Sequence, residues 1–431
     1  HKNFLLITFD LQNNTRLLYN TFMDRTILHC DMNGFFASVE LLSHPELRKK
    51  PMAVCGNPHN RHGIILAKNE IAKKYGIITA ETLWQAKKKC PELLCVRPHM
   101  GKYKKYSRII NTIYERFTDM VEPFSIDESW LDVSASMKLF GSGREIADNI
   151  RKTIKKELGL TLSVGVSFNK IFAKMGSEYK KPDATTVISR ENYRDILWPL
   201  PIEKMFFVGS SSAEKLRKTG ILTIGELALA EKKRIISLLG KHGDMIHDHA
   251  NGLDQSPVSL SWERDKIKSV GNGITFKRDL LGEEDIKTAL TGLSDKVASR
   301  LRKYEMKAGG IKLDIKDPGF NVISRQKQLG IPTNISEEIS NAAFEMFIDS
   351  WDIKKPVRLL TLTGISLCSE NENEQLSLFA EDNEVRNKKE KIERTLDDIR
   401  HRYGDSSISF GRVIDNDIGI SLDLHTEEDS E

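Results

Sequence analysis

Three carboxylates in strand-like surroundings constrain this chain more than any other feature. Thr26-Ile27-Leu28-His29-Cys30 is a short, largely apolar run bounded by Asp31, and it reads as a buried strand. Gly34-Phe35-Phe36-Ala37-Ser38-Val39-Glu40 then turns into a helix. A second acidic pair, Asp127 and Glu128, interrupts a hairpin-like pattern over residues 124–133. Carboxylates at strand ends have little use in an apolar core, because an unpaired buried charge is costly. Facing each other, two acid-bearing strands would instead hold a pair of divalent cations. Hard oxygen ligands suit Mg²⁺, which takes one or two carboxylates and completes its shell with water and substrate phosphates. Two such ions, about 3.5–4 Å apart, clamp the attacking and leaving oxygens of an in-line phosphoryl displacement. Taken alone, either acidic stretch is equally a hairpin turn with surface acids. Their joint occurrence favours the metals.

At 431 residues the chain has room for about three domains. With 39% hydrophobic and 29% charged residues, and no apolar run long enough to span a bilayer, it reads as soluble. Phe4-Leu5-Leu6-Ile7 is too short for a signal-peptide core. The chain opens on His and Met23 begins the first sensible element, so residues 1–22 read as upstream or added sequence. Cys30, Cys55, Cys90, Cys95 and Cys368 form neither a CxxC pair nor a zinc spacing, which suits a reducing cytoplasm. The net charge of +4 hides an asymmetry: residues 368–431 carry −10 and the remainder +14. A basic body with an acidic tail is the pattern of a nucleic-acid binder carrying a separate protein-binding appendage.

Residues 26–190 alternate helical and strand patterns, with strands at 161–166 and 185–188 after the second acidic stretch. A helix-rich insertion is expected over 35–96, a small helical unit over 191–253, and a linker over 254–266. A further α/β unit follows over 267–366, where residues 309–316 alternate as a strand. Residues 369–374 are polar and read as disordered. Ile392, Leu396, Ile399 and Tyr403 fall on one face of an amphipathic helix.

Three stretches, in this order, resemble motifs of the Y-family DNA polymerases, in their bacterial DinB branch. They are Ile27-Leu28-His29-Cys30-Asp31-Met32-Asn33-Gly34-Phe35-Phe36-Ala37-Ser38-Val39-Glu40, then Ser125-Ile126-Asp127-Glu128-Ser129, then residues 163–174 continuing to Lys180-Lys181-Pro182-Asp183. The resemblance spans residues 23–367. It implies an α/β chain with an α+β palm, folded as a right-hand polymerase. The palm would be 23–34 and 97–190, the fingers 35–96, the thumb 191–253 and the little finger 267–367. The implied activity is template-directed, Mg²⁺-dependent extension of primer 3′ ends with dNTPs, of the low-fidelity, poorly processive lesion-bypass type.

By the same resemblance Asp31 and Asp127 bridge two Mg²⁺ ions, for which Mn²⁺ is a possible substitute, and Glu128 ligates the catalytic one. The Met32 carbonyl helps hold the nucleotide's ion, while nearby Asp132 is structural. Phe36 matches the steric gate, an aromatic ring that rejects a ribose 2′-hydroxyl by collision. Lys73 and Lys181 match triphosphate contacts. Glu70 stands where many members have a phosphate-contacting Tyr, so it must turn away or pair with Lys68, Lys73 or Lys74.

Gly209 and residues 215–221 resemble the thumb's helix–hairpin–helix, which offers backbone N–H groups to a DNA phosphate. Lys277, Arg278, Lys312 and Arg325 lie in a basic stretch expected to grip DNA from one groove. Gln375, Leu376, Leu378 and Phe379 resemble the peptide by which bacterial polymerases bind the sliding clamp. Primed template DNA, dNTPs and the clamp are thus the implied partners of a cytoplasmic monomer with no membrane partner. Three rivals share parts of the pattern. A nucleotidyl cyclase is disfavoured by the thumb-like and little-finger-like segments, and a non-catalytic DNA- and clamp-binding factor by the three carboxylates. A partner-dependent UmuC-like polymerase is kept open by Glu70.

Overall fold

The apolar run around Leu28 becomes the middle of a sheet. In the computed structural model, residues 25–56, 63–260, 267–370 and 383–420 are described. Apart from residues 57–63, the chain divides into a first unit up to residue 264 and a second from 265 onward. In the first, Ile27–Met32 (β1) is buried along its whole length. It lies between Glu128–Asp132 (β6) and Leu162–Ser167 (β7), antiparallel to both. Val121–Pro123 (β5) and Thr185–Ile188 (β8) complete the order β5-β6-β1-β7-β8.

Alternation along β1 sorts its side chains. Leu28, Cys30 and Met32 join a core with Ile110, Ile113, Ile146, Ile150 and Ile154, contributed by the helices Met100–Tyr114 (α2) and Gly143–Leu158 (α3). The isoleucines of α3 recur every four residues and so line one stripe. Ser142 and Glu145 cap its start reciprocally, and Gly159, left-handed at φ +68°, ends it. On the other face the helix Lys170–Tyr179 (α4) comes close to the sheet at Gly165 and Gly176. A side chain on Gly165 would collide with the Ala173 carbonyl and the Ser177 amide.

The insertion over 35–96 is not simply helix-rich. Met52–Cys55 (β2), Ile65–Lys68 (β3) and Leu94–Val96 (β4) form a second sheet in the order β3-β2-β4. These strands have at most four residues, too few for a period of two to show. The helix Phe35–Ser43 (α1) leads into it, with Phe35 and Val39 still packed in the core beneath β1. The expected linker is also anchored at its start. Val258 is buried against Ile27, Trp130 and Ala173, and the Ser259 N–H donates to Glu122 at 2.8 Å. Val258, Leu260 and Trp262 are too few, in a run that is otherwise polar, to have signalled this.

The second unit is a four-stranded antiparallel sheet, order β11-β10-β12-β9. Its strands are Val270–Leu280 (β9), Met306–Lys316 (β10), Val322–Thr333 (β11) and Val357–Ser369 (β12). The helices Gly282–Lys303 (α5) and Ser336–Ser350 (α6) cover one face, packing Leu293, Val297 and Phe347 on Ile311, Leu313 and Leu362.

The acidic tail is not an appendage within its described part. Of the apolar stripe expected on Asn383–Tyr403 (α7), Leu396 and Ile399 are half-buried, while Ile392 and Tyr403 are 51% and 75% exposed. The buried positions are Glu393 and Arg400, with Asp397 on the same face. Glu393 and Asp397 hold Arg302 of α5, and Arg400 forks onto Asp295 of α5 at 3.0 and 2.9 Å. Farther on, Val413, Ile418 and Ile420 enter the same core as the sheet. The expected disorder does not hold at its first two residues. Ser369 ends β12, and Glu370 accepts from Asn334 and from Arg394. Residues 371–374 lie outside the described residues.

Candidate active site

Register brings the acids together. Asp31 of β1 stands directly opposite Glu128 of β6, and His29 opposite Trp130. Directly opposed residues share a face, so these four side chains all point toward α4. The Met32 N–H donates to the Asp127 carbonyl at 3.1 Å, tying the acidic turn to the end of β1. Carboxylate oxygens of Asp31, Glu128 and Glu178 lie within 4.8 Å of one another. Asp127 stands outside that set, its Oδ1 accepting from Ser125 Oγ at 2.8 Å. Glu178 is the residue that sequence reasoning missed. Its signal was present: Lys170, Lys174 and Glu178 repeat every four residues and share one stripe of α4.

Two ammonium groups sit among these acids. Lys181 Nζ donates to Asp31 Oδ2 and Glu178 Oε1, both at 2.7 Å, and Lys174 donates to Glu128. Burial pushes Asp31 up to about 8 even with Lys181 opposing it, and burial also raises Asp127. Burial would raise Glu128 too, but the flanking His29 and Lys174 carry it down to about 2. Burial lowers His29 to about 4, so its imidazole is neutral at pH 7. A cluster of hard oxygen donors still short of positive charge fits divalent cations.

Phe36 opens α1 beside this cluster. Gly34, at φ +53°, makes the turn from strand to helix. The Phe36 ring stacks on Tyr103 at 4.2 Å and 10°. Tyr103 is held in turn by its hydroxyl, which donates to buried Glu40 at 2.5 Å, where His99 also binds at 3.0 Å. The gate candidate is therefore backed by a fixed ring.

The remaining expectations separate. Lys73 lies on the exposed helix Glu70–Lys74, its ammonium 3.8 Å from Glu70, so Glu70 takes one of the three partners expected for it. Gly209 precedes the helix Ser210–Lys218 with no side-chain cap, leaving the first N–H groups open.

The basic quartet does not share one face. Lys312, 3.1 Å from Asp314, lies on the face of the sheet opposite to α5 and α6. Arg325 is opposed to buried Leu313 and so points to the helix side of an edge strand. Arg278 is tied to Asp285 and Asp417, and the Lys277 side chain packs on Gly419. Sequence proximity could not reveal this, because neighbours on a strand alternate sides. The clamp-like residues Gln375, Leu376, Leu378 and Phe379 lie outside the described residues.

Comparison with known proteins bears on most of the chain. The model of the impB/mucB/samB family matches residues 30–178, that of its C-terminal domain residues 267–378, and that of the IMS family HHH motif residues 190–221. A DNA polymerase IV of Acetivibrio thermocellus is 46% identical over 392 residues, covering 91% of this chain and 98% of the relative. A DNA polymerase IV of Clostridium kluyveri is 41% identical over 398 residues, covering 91% and 99%. Among solved structures, a Y-family DNA polymerase chimera matches with a TM-score of 0.71 over 80% of this chain and 99% of its own, at 24% identity.

Proposed function

Because the chain belongs to the impB/mucB/samB family of Y-family polymerases and is a template-directed DNA polymerase of the translesion type, we propose that Asp31, Asp127 and Glu128 hold the two Mg²⁺ ions of its reaction. The opposition of Asp31 and Glu128 across β1 and β6 carries this reading. When bound, the ions make the primer 3′-hydroxyl more acidic and steady the leaving pyrophosphate. The Met32 carbonyl adds a neutral oxygen at the end of β1. Lys181 is held at the cluster by Glu178 as well as Asp31. Once Asp31 is engaged elsewhere, Lys181 keeps its station through Glu178 and offers its charge to the triphosphate. Lys73 serves the same group from the fingers side.

DNA is held without sequence preference by the open N-terminus after Gly209 and by the uncovered sheet face bearing Lys312. Arg278, spent on two carboxylates, is not part of that grip. Residues 375–379 dock on the bacterial sliding clamp, and the enzyme works as a cytoplasmic monomer. No described helix is long and apolar enough to cross a membrane.

Primer extension on an undamaged primed template tests the reading. With Mg²⁺ and four dNTPs, short distributive products are expected; they stop on chelation and return with Mg²⁺ or Mn²⁺. Absence of extension, beside salt-sensitive binding of primed DNA, would sink the autonomous enzyme and favour a partner-dependent one.

Phe36 gives a second expected outcome. Phe36→Ala removes the ring that overlaps a ribose 2′-hydroxyl, while Tyr103 stays locked on Glu40. Insertion of ribonucleotides relative to deoxynucleotides then rises roughly 10–200-fold, the range for a pocket contact of this size. Single-nucleotide insertion kinetics measure the ratio. An unchanged ratio places discrimination at another residue.

A further inference from the structure

We propose that His29, oriented by Ser177, is a positioning residue that holds the Glu128 carboxylate in its metal-ligating pose. The inference rests on Glu128 being a metal ligand. His29 is 0% exposed, with its ring edge-on to Trp130 at 5.2 Å. Its Nδ1 lies 2.8 Å from Ser177 Oγ. Its Nε2 lies 3.4 Å from Glu128 Oε2, yet this buried nitrogen makes no hydrogen bond. Glu128 is taken by Lys174 instead. Buried nitrogens without partners are rare, and leaving one unmade is costly. A position two residues from Asp31 is a poor place to bear that cost without a function.

Ser177 supplies the missing link. Its hydroxyl has one proton and two claimants, the Lys174 carbonyl at 2.8 Å and His29 Nδ1. When it donates to Nδ1, the neutral ring carries its own proton on Nε2, the nitrogen nearest Glu128. A carboxylate released from Lys174 by a competing cation has one oxygen to spare for that N–H. The hydrogen bond then fixes where the other oxygen points. The arrangement depends on the close approach of α4 at Gly165, which stands opposite His29 on β7 and lets Ser177 reach the ring. Partners behind metal ligands act in this way, tuning affinity by orientation.

Mn²⁺ titration of the full chain, read by the electron paramagnetic resonance of free Mn²⁺, tests this without relying on activity. His29→Leu should bind Mn²⁺ roughly tenfold more weakly, within the span typical of such partners. Ser177→Ala should weaken it in the same direction. His29→Gln, which still offers an N–H near the Nε2 position, should recover most of the loss. A merely structural role would lower the melting temperature and leave Mn²⁺ affinity alone. If His29→Leu does not fold, Ser177→Ala decides, since it leaves the ring in place. Wild-type affinity in a folded His29→Leu or Ser177→Ala protein, beside a deficient Glu128→Ala, overturns the inference alone. Wild-type affinity in Glu128→Ala overturns the metal-ligand reading and this inference with it.

Discussion

Asp31→Asn should lower primer extension by on the order of 10³-fold or more while primed DNA still binds. The substitution keeps shape and removes charge, so what is lost is metal-assisted stabilisation of the transition state, worth several kcal/mol. Stability should move the other way in chelator. Asp31 is 3% exposed and burial pushes it up to about 8, so its ionised form burdens the metal-free fold. The folded form takes up a proton that the unfolded chain does not. Metal-free wild type therefore loses stability as pH rises from the ordinary carboxylate range toward 8, and levels off above it. Asp31→Asn escapes that loss. Parallel thermal melts in chelator and extension assays in Mg²⁺ check both halves. Extension within tenfold of wild type would remove Asp31 from the reaction.

Arg400→Ala should strongly destabilise the second unit. Arg400 is 2% and Asp295 5% exposed, and the two meet by a two-pronged ion pair. Removing the guanidinium strands a buried carboxylate, which costs about 3–5 kcal/mol. Asp295→Asn in the same chain should restore part of it, because a neutral amide is less costly to leave unpaired. Equilibrium denaturation of the single and double variants measures this. A loss below about 1 kcal/mol would mean that water reaches Asp295 and the pair is a surface one.

What was legible in the sequence follows from how local each signal is. The turn from β1 through Gly34 into α1 could be read because the apolar run, the acid, the glycine and the helix pattern lie within a few residues. The Asp127–Glu128 hairpin was equally local. The sheet of β2, β3 and β4 was not, since strands of three or four residues carry no period. Glu393 and Arg400 gave no sequence signal because their partners, Arg302 and Asp295, are about a hundred residues away in sequence. His29, Lys174 and Glu178 entered the site by the same route: two helix residues and one strand residue meet only once α4 lies over β1. The pairing of Arg278 with Asp417 was hidden for the converse reason, since Asp417 was assigned to a separate tail.

The burial of Val413, Ile418 and Ile420 beside β9 and α5 also fixes a schedule for synthesis. A ribosome delivers residues in order, and domains ordinarily fold as their last residue emerges. The first unit has all its strands once Ile188 is made. The second must wait, with an unfinished core, until Ile420 has emerged. A nascent chain stalled within the acidic segment would therefore present a finished catalytic sheet joined to an incomplete partner. The segment read as a separate appendage is what closes that interval.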